Sequence, residues 1–326
     1  MHTQIRRWLA MVLAPACLVG ASLDLALAEG LEQGSGSVRL EYQFIETDKF
    51  YDDVQEFDYW STDSHVAILS MDYALSDRLA VFASLPYVRK RFVSEVPWGG
   101  DPHNPNDPYW IDFVPPDKRF IDDGDYHGGF QDLSVGVSYL AVEGALTLSP
   151  YIAYGVPTTD YPFFGKAAIG ANLWTIPVGV SFTYVPYFSD WHFRGNLAYV
   201  FSEKPLGVNV DYWLVHLSAG YWFTERLSLN TFASLKYVRK GLKMPWSFTD
   251  DPNYGNYPDD FDTEAWWNHD RLLGHRNLNL GVGADYFLSP RYKVSGSVFT
   301  GVWTEQSSEV DYALTLGLTH FFGAPD

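Results

Sequence analysis

RLAVFASLPYVRK, residues 78–90, returns as RLSLNTFASLKYVRK at residues 226–240. Across Phe82–Lys90 and Phe232–Lys240 the two copies differ only at Pro86 against Lys236. Both alternate. In the first copy Leu79, Val81, Ala83, Leu85 and Tyr87 share one face, with Ala80, Phe82, Ser84, Pro86 and Val88 opposite. In the second, Leu227, Leu229, Thr231, Ala233, Leu235 and Tyr237 oppose Ser228, Asn230, Phe232, Ser234 and Lys236. Successive side chains of a strand point to opposite faces, so a period of two marks a strand. One row is apolar and ends in Tyr, then Arg, a sequence suited to hydrocarbon, interface and phosphate in turn. The stretch predicts a strand of a transmembrane β-barrel, used once in each half of the chain.

The bulk numbers agree. The 326 residues include 12 Trp, 22 Tyr and 22 Phe, yet no run of 18 apolar residues occurs outside the N-terminus, so no helical span is expected. A net charge of −18 argues against nucleic acid, which calls for a basic face. Residues 1–28 read as a signal peptide: Arg6 and Arg7, a mostly apolar Trp8–Leu27, and a small-residue cleavage site at Ala26-Leu27-Ala28. The one cysteine, Cys17, lies inside it; a lipoprotein box there would leave the apolar Leu18–Leu27 on the mature chain. Without that segment the chain has no thiol for disulfides or metal.

Residues 29–326 read as one all-β domain, an antiparallel barrel of twelve strands. The expected strands run through Val38–Phe44, Ser64–Leu75, Arg78–Lys90, Phe130–Val142, Ala145–Val156, Trp174–Pro186, Trp191–Glu203, Asp211–Phe223, Arg226–Lys240, Gly274–Leu288, Tyr292–Thr304 and Val310–Phe322. An even count suits a single-chain bacterial barrel, with short turns on the periplasmic rim and long loops outside. Repeats six strands apart imply two duplicated six-strand halves. Glu46–Asp63 reads as an outer loop, and residues 93–129 and 241–273 as long acidic extracellular loops. Pro157–Leu173 is undecided between strand and loop. Phe321 and Phe322, closing the last strand, resemble the signal read by the barrel assembly machinery.

The block Gly128-Gly129-Phe130-Gln131-Asp132-Leu133-Ser134-Val135-Gly136-Val137-Ser138-Tyr139 resembles the centre of outer-membrane barrels grouped as phenol-degradation MetA-pathway-like transporters. Leu85-Pro86-Tyr87 and Leu316-Gly317-Leu318 are similar to them too. The resemblance implies the cell outer membrane and passage of small, including aromatic, compounds. It implies no particular binding or catalytic residue.

Candidate residues follow from the strand faces. An inward row of Arg39, Glu41, Asp72, Asp132, His192, Arg194, His216, Asp285 and Asp311 is either a polar pore or a packed lumen of paired charges. Inward bulk at Phe82, Trp222, Phe232, Phe287 and Trp303 favours constriction. Tyr87, Arg89, Tyr237 and Arg239 are the lipid-interface candidates, facing lipopolysaccharide phosphate or acidic loop residues. Residues 48–63, 92–129 and 241–273 carry 21 acidic groups, either a cation-attracting mouth or a solvated surface. Asp250, Asp251, Asp259, Asp260 and Asp262 are weak metal candidates without EF-hand order. Asp125–His127 and His269–Asp270 sit at loop bases where an acid–His site would lie, but no Gly-x-Ser-x-Gly or His-Glu-x-x-His occurs, so no enzyme and no cofactor are expected. The expected function is a monomeric outer-membrane channel for small molecules, aromatic or cationic among them. The alternative is a closed barrel whose loops bind a partner or Ca2+.

Overall fold

The computed structural model describes residues 32–51, 56–57, 60–94, 121–243 and 268–323. Twelve wall strands form one closed antiparallel ring among them. These are β1 (Gly36–Tyr51), β3 (Trp60–Ala74), β4 (Leu79–Ser94), β5 with β6 (His127–Phe130, Asp132–Tyr139), β7 (Leu146–Pro157), β8 (Thr175–Tyr184), β9 (Trp191–Ser202), β10 (Tyr212–Trp222), β11 (Leu227–Val238), β12 (Arg276–Ser289), β13 (Tyr292–Glu305) and β14 (Ser307–Phe322). A two-residue β2 (Glu56–Phe57) extends β1. Each strand pairs with the next, and β1 also pairs with β14 from Gly36↔Phe322 to Tyr51↔Ser307, which seals the ring.

The wall is inverted relative to a water-soluble protein. Leu40, Val282 and Leu316 are more than half exposed (56, 56 and 55 %), whereas Arg39, Glu41, Asp285 and Lys293 are buried. Apolar outside and polar inside is the surface that hydrocarbon requires. Closure leaves no unpaired sheet edge within it.

The duplicated stretch is duplicated in detail. The turn before β4 and the turn before β11 are built alike: Ser76 Oγ accepts the N–H of Arg78 and Leu79, and Thr224 Oγ1 accepts those of Arg226 and Leu227. From Leu79 to Phe82 is three residues, and from Leu227 to Phe232 is five. An insertion of two keeps every side chain on its face, where one residue would reverse them all. Phe82 then pairs with Gly136 and Phe232 with Gly281 on the neighbouring strand. A Cβ on either glycine would lie 2.2 or 2.3 Å from the facing ring. The single mismatch has a local cause. Pro86 sits where the wall strand is interrupted between β5 and β6, and uses only its carbonyl, 2.9 Å from Gln131 N. Lys236 stands in an unbroken ladder between Leu214 and Asn277, where a residue without N–H would cost a bond.

Four expectations are corrected. Most of Glu46–Asp63 is strand, since β1 and β3 stay paired as far as Thr47↔Thr62 and β1 runs on to Tyr51. The connection placed at Glu305–Glu309 shrinks to Gln306, in a left-handed conformation (φ 52°). A bulge at Val302 turns Trp303 opposite the outward Leu278, so Trp303 is exposed and does not narrow the lumen. A bulge between Val310 and Tyr312 takes Asp311 out of the inward row of Ala313 and Thr315, and it too is exposed. Alternation counts residues, and a bulge adds one without changing composition. Residues 1–28 lie outside the described residues.

Adding a side chain at Gly281 meets Phe299 Cβ at 2.7 Å, and at Gly136 meets Ile152 O at the same distance, neither of which can swing away. Gly136→Val and Gly281→Val are each expected to cost about 1–3 kcal/mol by overpacking. Equilibrium urea unfolding in lipid vesicles measures this; unchanged midpoints would show that the rings move freely aside.

Candidate functional site

Residues 158–174, undecided from sequence, form neither strand nor helix: they turn into the barrel. Tyr161 and Ile169 join Ile45, Val66, Ile68, Val88, Phe232 and Phe299 in one buried cluster, so the segment touches walls on several sides of the lumen. It is pinned at three points. Tyr161 Oη donates to Asp132 Oδ1 (2.5 Å) and accepts from Asn172 N (3.1 Å). The Asp122 carboxylate accepts the N–H of Lys166 (2.8 Å) and Ala167 (2.7 Å). Asp270, in the short helix α1 (His269–Leu272), accepts that of Gly165 (2.8 Å). Arg271 lies over the Phe163 ring at 3.6 Å, and His269 meets Phe164 edge-on at 5.7 Å. The outer connections after β4, β7 and β11 therefore interlock inside the barrel.

Beside this segment lies a cavity of about 210 Å³. Phe50, Phe163 and Phe299 line it together with Lys90, Lys166 and Lys236, and with Asp270 and His275. Lys166 sits 3.7 Å over the Phe50 ring and 4.0 Å from Asp270. Lys236 lies 4.8 Å from the Tyr212 ring centre. A smaller cavity of about 190 Å³ lies between Ile121–Gly128 and the inner segment.

Electrostatics bind the segment to its pins. Burial pushes the Asp122 carboxyl up to about 6, against the pull of its two N–H donors. Burial pushes Asp270 the same way, but the charges of His269 and Lys166 outweigh it and hold the group below its ordinary value. Burial and then the Lys236 charge lower His275 to about 4, so it is neutral near pH 7, with Nε2 2.6 Å from the Asp270 carbonyl oxygen.

Most of the inward row expected from sequence falls toward the opposite, short-turn half; Asp132 and Asp311 lie at the long-connection end. Arg39 pairs with Glu41, which also accepts from Gln43. Ser37 Oγ donates to Asp72 (2.5 Å), and Lys293 lies 3.5 Å from Asp285. His192 tilts against Trp222 and His216 against Phe232. Arg194 is buried, Asp132 holds Tyr161, and Asp311 is exposed. Phe82, Trp222 and Phe232 are buried, and Phe287 stacks on Trp222 and Phe321. Of the interface residues, Tyr87 is exposed beside Phe130 (5.3 Å), Arg89 lies 4.6 Å over Tyr126, Tyr237 lies under Arg276 (4.5 Å), and Arg239 is exposed.

His127 bonds Asp123 (2.8 Å), not Asp125, and His269 lies 3.3 Å from Asp270, whose second oxygen is occupied by Gly165. No three metal-ligating side chains converge among the described residues; Asp250, Asp251, Asp259, Asp260 and Asp262 lie outside them. Sequence reading missed Lys90, Lys166, Lys236, Asp122, Tyr161 and His275 as a group. Its available signal was FFGKAAIGAN at 163–172, small and apolar where the other long connections are acidic.

The contact of His275 with the Asp270 carbonyl sets a pH dependence. Its folded value lies below the unfolded 6.5, so its contribution is complete above pH 6.5 and is lost as pH falls through about 4. The loss is roughly 3–3.5 kcal/mol at most. Asp122 has the opposite sign: its share is present below about pH 4 and lost as pH rises through about 6. Comparing amide exchange at Gly165 and Leu242 in the native chain and in His275→Asn isolates the first effect; identical pH profiles would refute it.

A family model for the MetA pathway of phenol degradation matches residues 70–237, just over half of the chain. No curated protein sequence matches. Among solved structures, an outer membrane channel from Pseudomonas putida F1 superposes with a TM-score of 0.64 at 16 % identity, covering 90 % of this chain and 97 % of its own. A monoaromatic hydrocarbon channel, CymD, gives 0.42 at 12 % identity over 95 % of both chains. The toluene transporter TodX of P. putida gives 0.40 at 9 %, over 90 and 92 %.

Proposed function

The chain belongs to the family described by the MetA pathway of phenol degradation, and from that premise we propose that it is an outer-membrane channel for small molecules. The observation that carries the reading is the inner segment 158–174. A barrel serving only as a scaffold for its loops has no use for a connection folded into its own lumen and pinned by Asp122, Asp132 and Asp270. A segment so held narrows a route without being part of the wall. The cavity beside it is below the roughly 300–1,000 Å³ of pockets that take drug-sized ligands, which suits passage of small compounds. The long connections face the cell exterior and the short turns the periplasm, as in other bacterial barrels. Arg89 and Arg239, exposed just beyond Tyr87 and Tyr237, stand at the level of lipopolysaccharide phosphate.

Purified protein in planar bilayers is expected to give small discrete channels. Asp122→Ala, which frees two amides of the segment, is expected to raise their conductance and current noise. A silent barrel, with a folded heat-modifiable band on gels, would favour the alternative of a closed barrel presenting loops to a partner.

A further inference from the structure

The charge of the cavity opposes that of the chain. The protein carries −18, and its outer connections are crowded with Asp and Glu, yet three ammonium groups and one carboxylate line the cavity. Asp270 is engaged by the Gly165 amide, His269 and Lys166. Asp122, the other carboxylate whose field reaches Lys90, is held by the amides of Lys166 and Ala167. Among the described residues, neither Lys90 nor Lys236 has a carboxylate within ion-pair distance. A half-buried ammonium without a counter-charge is costly, and a site retains it where an arriving anion offsets that cost. The two lysines come from the two copies of the repeat. Lys90 ends the first copy, and Lys236 is the one residue by which the second departs from FASLPYVRK. Phe50, Phe163 and Phe299 line the same cavity and give it aromatic surface, with Lys166 over the Phe50 ring and Arg271 over the Phe163 ring.

We propose that the cavity is a selectivity site for small organic anions with an apolar or aromatic body, of the class of aromatic carboxylates, in which Lys90 and Lys236 take the carboxylate and the phenylalanines take the ring. This rests on the channel reading above for its role, though not for its chemistry. It replaces the cation preference that the acidic exterior suggests with an anion preference inside. The exterior acid then acts as a barrier that an anion must cross, and the lysines offset it inside the barrel. A ring carrying a carboxylate engages both the basic and the aromatic residues that line the cavity; a bare halide engages only the first.

The test uses the full barrel. Benzoate, benzylamine and benzyl alcohol, alike in size but of different charge, are titrated against detergent-solubilised protein by calorimetry and against open channels in bilayers. Benzoate is expected to bind and to block current, with benzylamine and benzyl alcohol weaker by about tenfold or more. Lys90→Met with Lys236→Met is expected to lose that preference, and Lys90→Arg with Lys236→Arg to keep it, each with unchanged heat-modifiable migration. Benzylamine binding as well as benzoate would overturn the proposal, as would a benzoate preference untouched by the double Met variant. Silent bilayers with intact benzoate binding would sink the channel reading and leave the site standing; conducting channels indifferent to benzoate would do the reverse.

Discussion

Everything in this molecule depends on the cost of an unpaired peptide group in hydrocarbon. An exposed N–H or C=O there has no water to turn to, so the sheet must close. The closure falls on β1 and β14, paired from Gly36↔Phe322 to Tyr51↔Ser307, the two ends of the described chain meeting along one seam. Once the ring is sealed, the faces of every strand are assigned. Leu40 and Leu316 must look outward, and Arg39 and Thr315 inward, because a one-residue slip anywhere would put a charge into lipid.

Closure then creates a problem of volume. Eight strands enclose a space that side chains fill, and sixteen leave an aqueous channel. Twelve lies between. This chain fills the short-turn half with side chains, in the Arg39–Glu41–Gln43 network, the Lys293–Asp285 pair and the stack of Trp222, Phe287 and Phe321. It fills the other half with backbone, by folding 158–174 inward. Each solution needs its polar atoms matched. Glu41 is matched by Arg39 and Gln43 and Asp285 by Lys293, while the inner segment borrows Asp122, Asp132 and Asp270 as acceptors for its amides and its tyrosine.

The same logic explains what could be read from the sequence. A period of two, repeated twelve times and bounded by turns, is imposed by the lipid on one face, so the strands and their count were legible. The twin copies were legible because the constraint of a strand packed on a neighbouring glycine, Phe82 over Gly136 and Phe232 over Gly281, was met twice by the same residues. Legibility stopped where the lipid stops. Above it β1 and β3 continue as paired strands through an acidic stretch with no apolar row, and composition alone reads as loop. Bulges at Val302 and beside Asp311 shift the parity silently. The inner segment was opaque for a different reason: its partners lie 29 to 105 residues away, and no local period records them.

Lys236 joins these threads. At the matching position of the first copy a proline is tolerated because the wall is interrupted between β5 and β6. In β11 the ladder is continuous on both sides, so the residue must supply an N–H, and its inward side chain is free to vary. A duplicated strand can therefore diverge on its lumen face without cost to its lipid face. The mismatch between copies is confined to the row that hydrocarbon does not police, and it introduced a cation there. Lys90, shared by both copies in sequence, faces the cavity only in the first, because β4 continues to Ser94 while β11 ends at Val238. Two similar strands on a closed ring thus contribute unlike residues to one site, and the asymmetry comes from where each ladder ends.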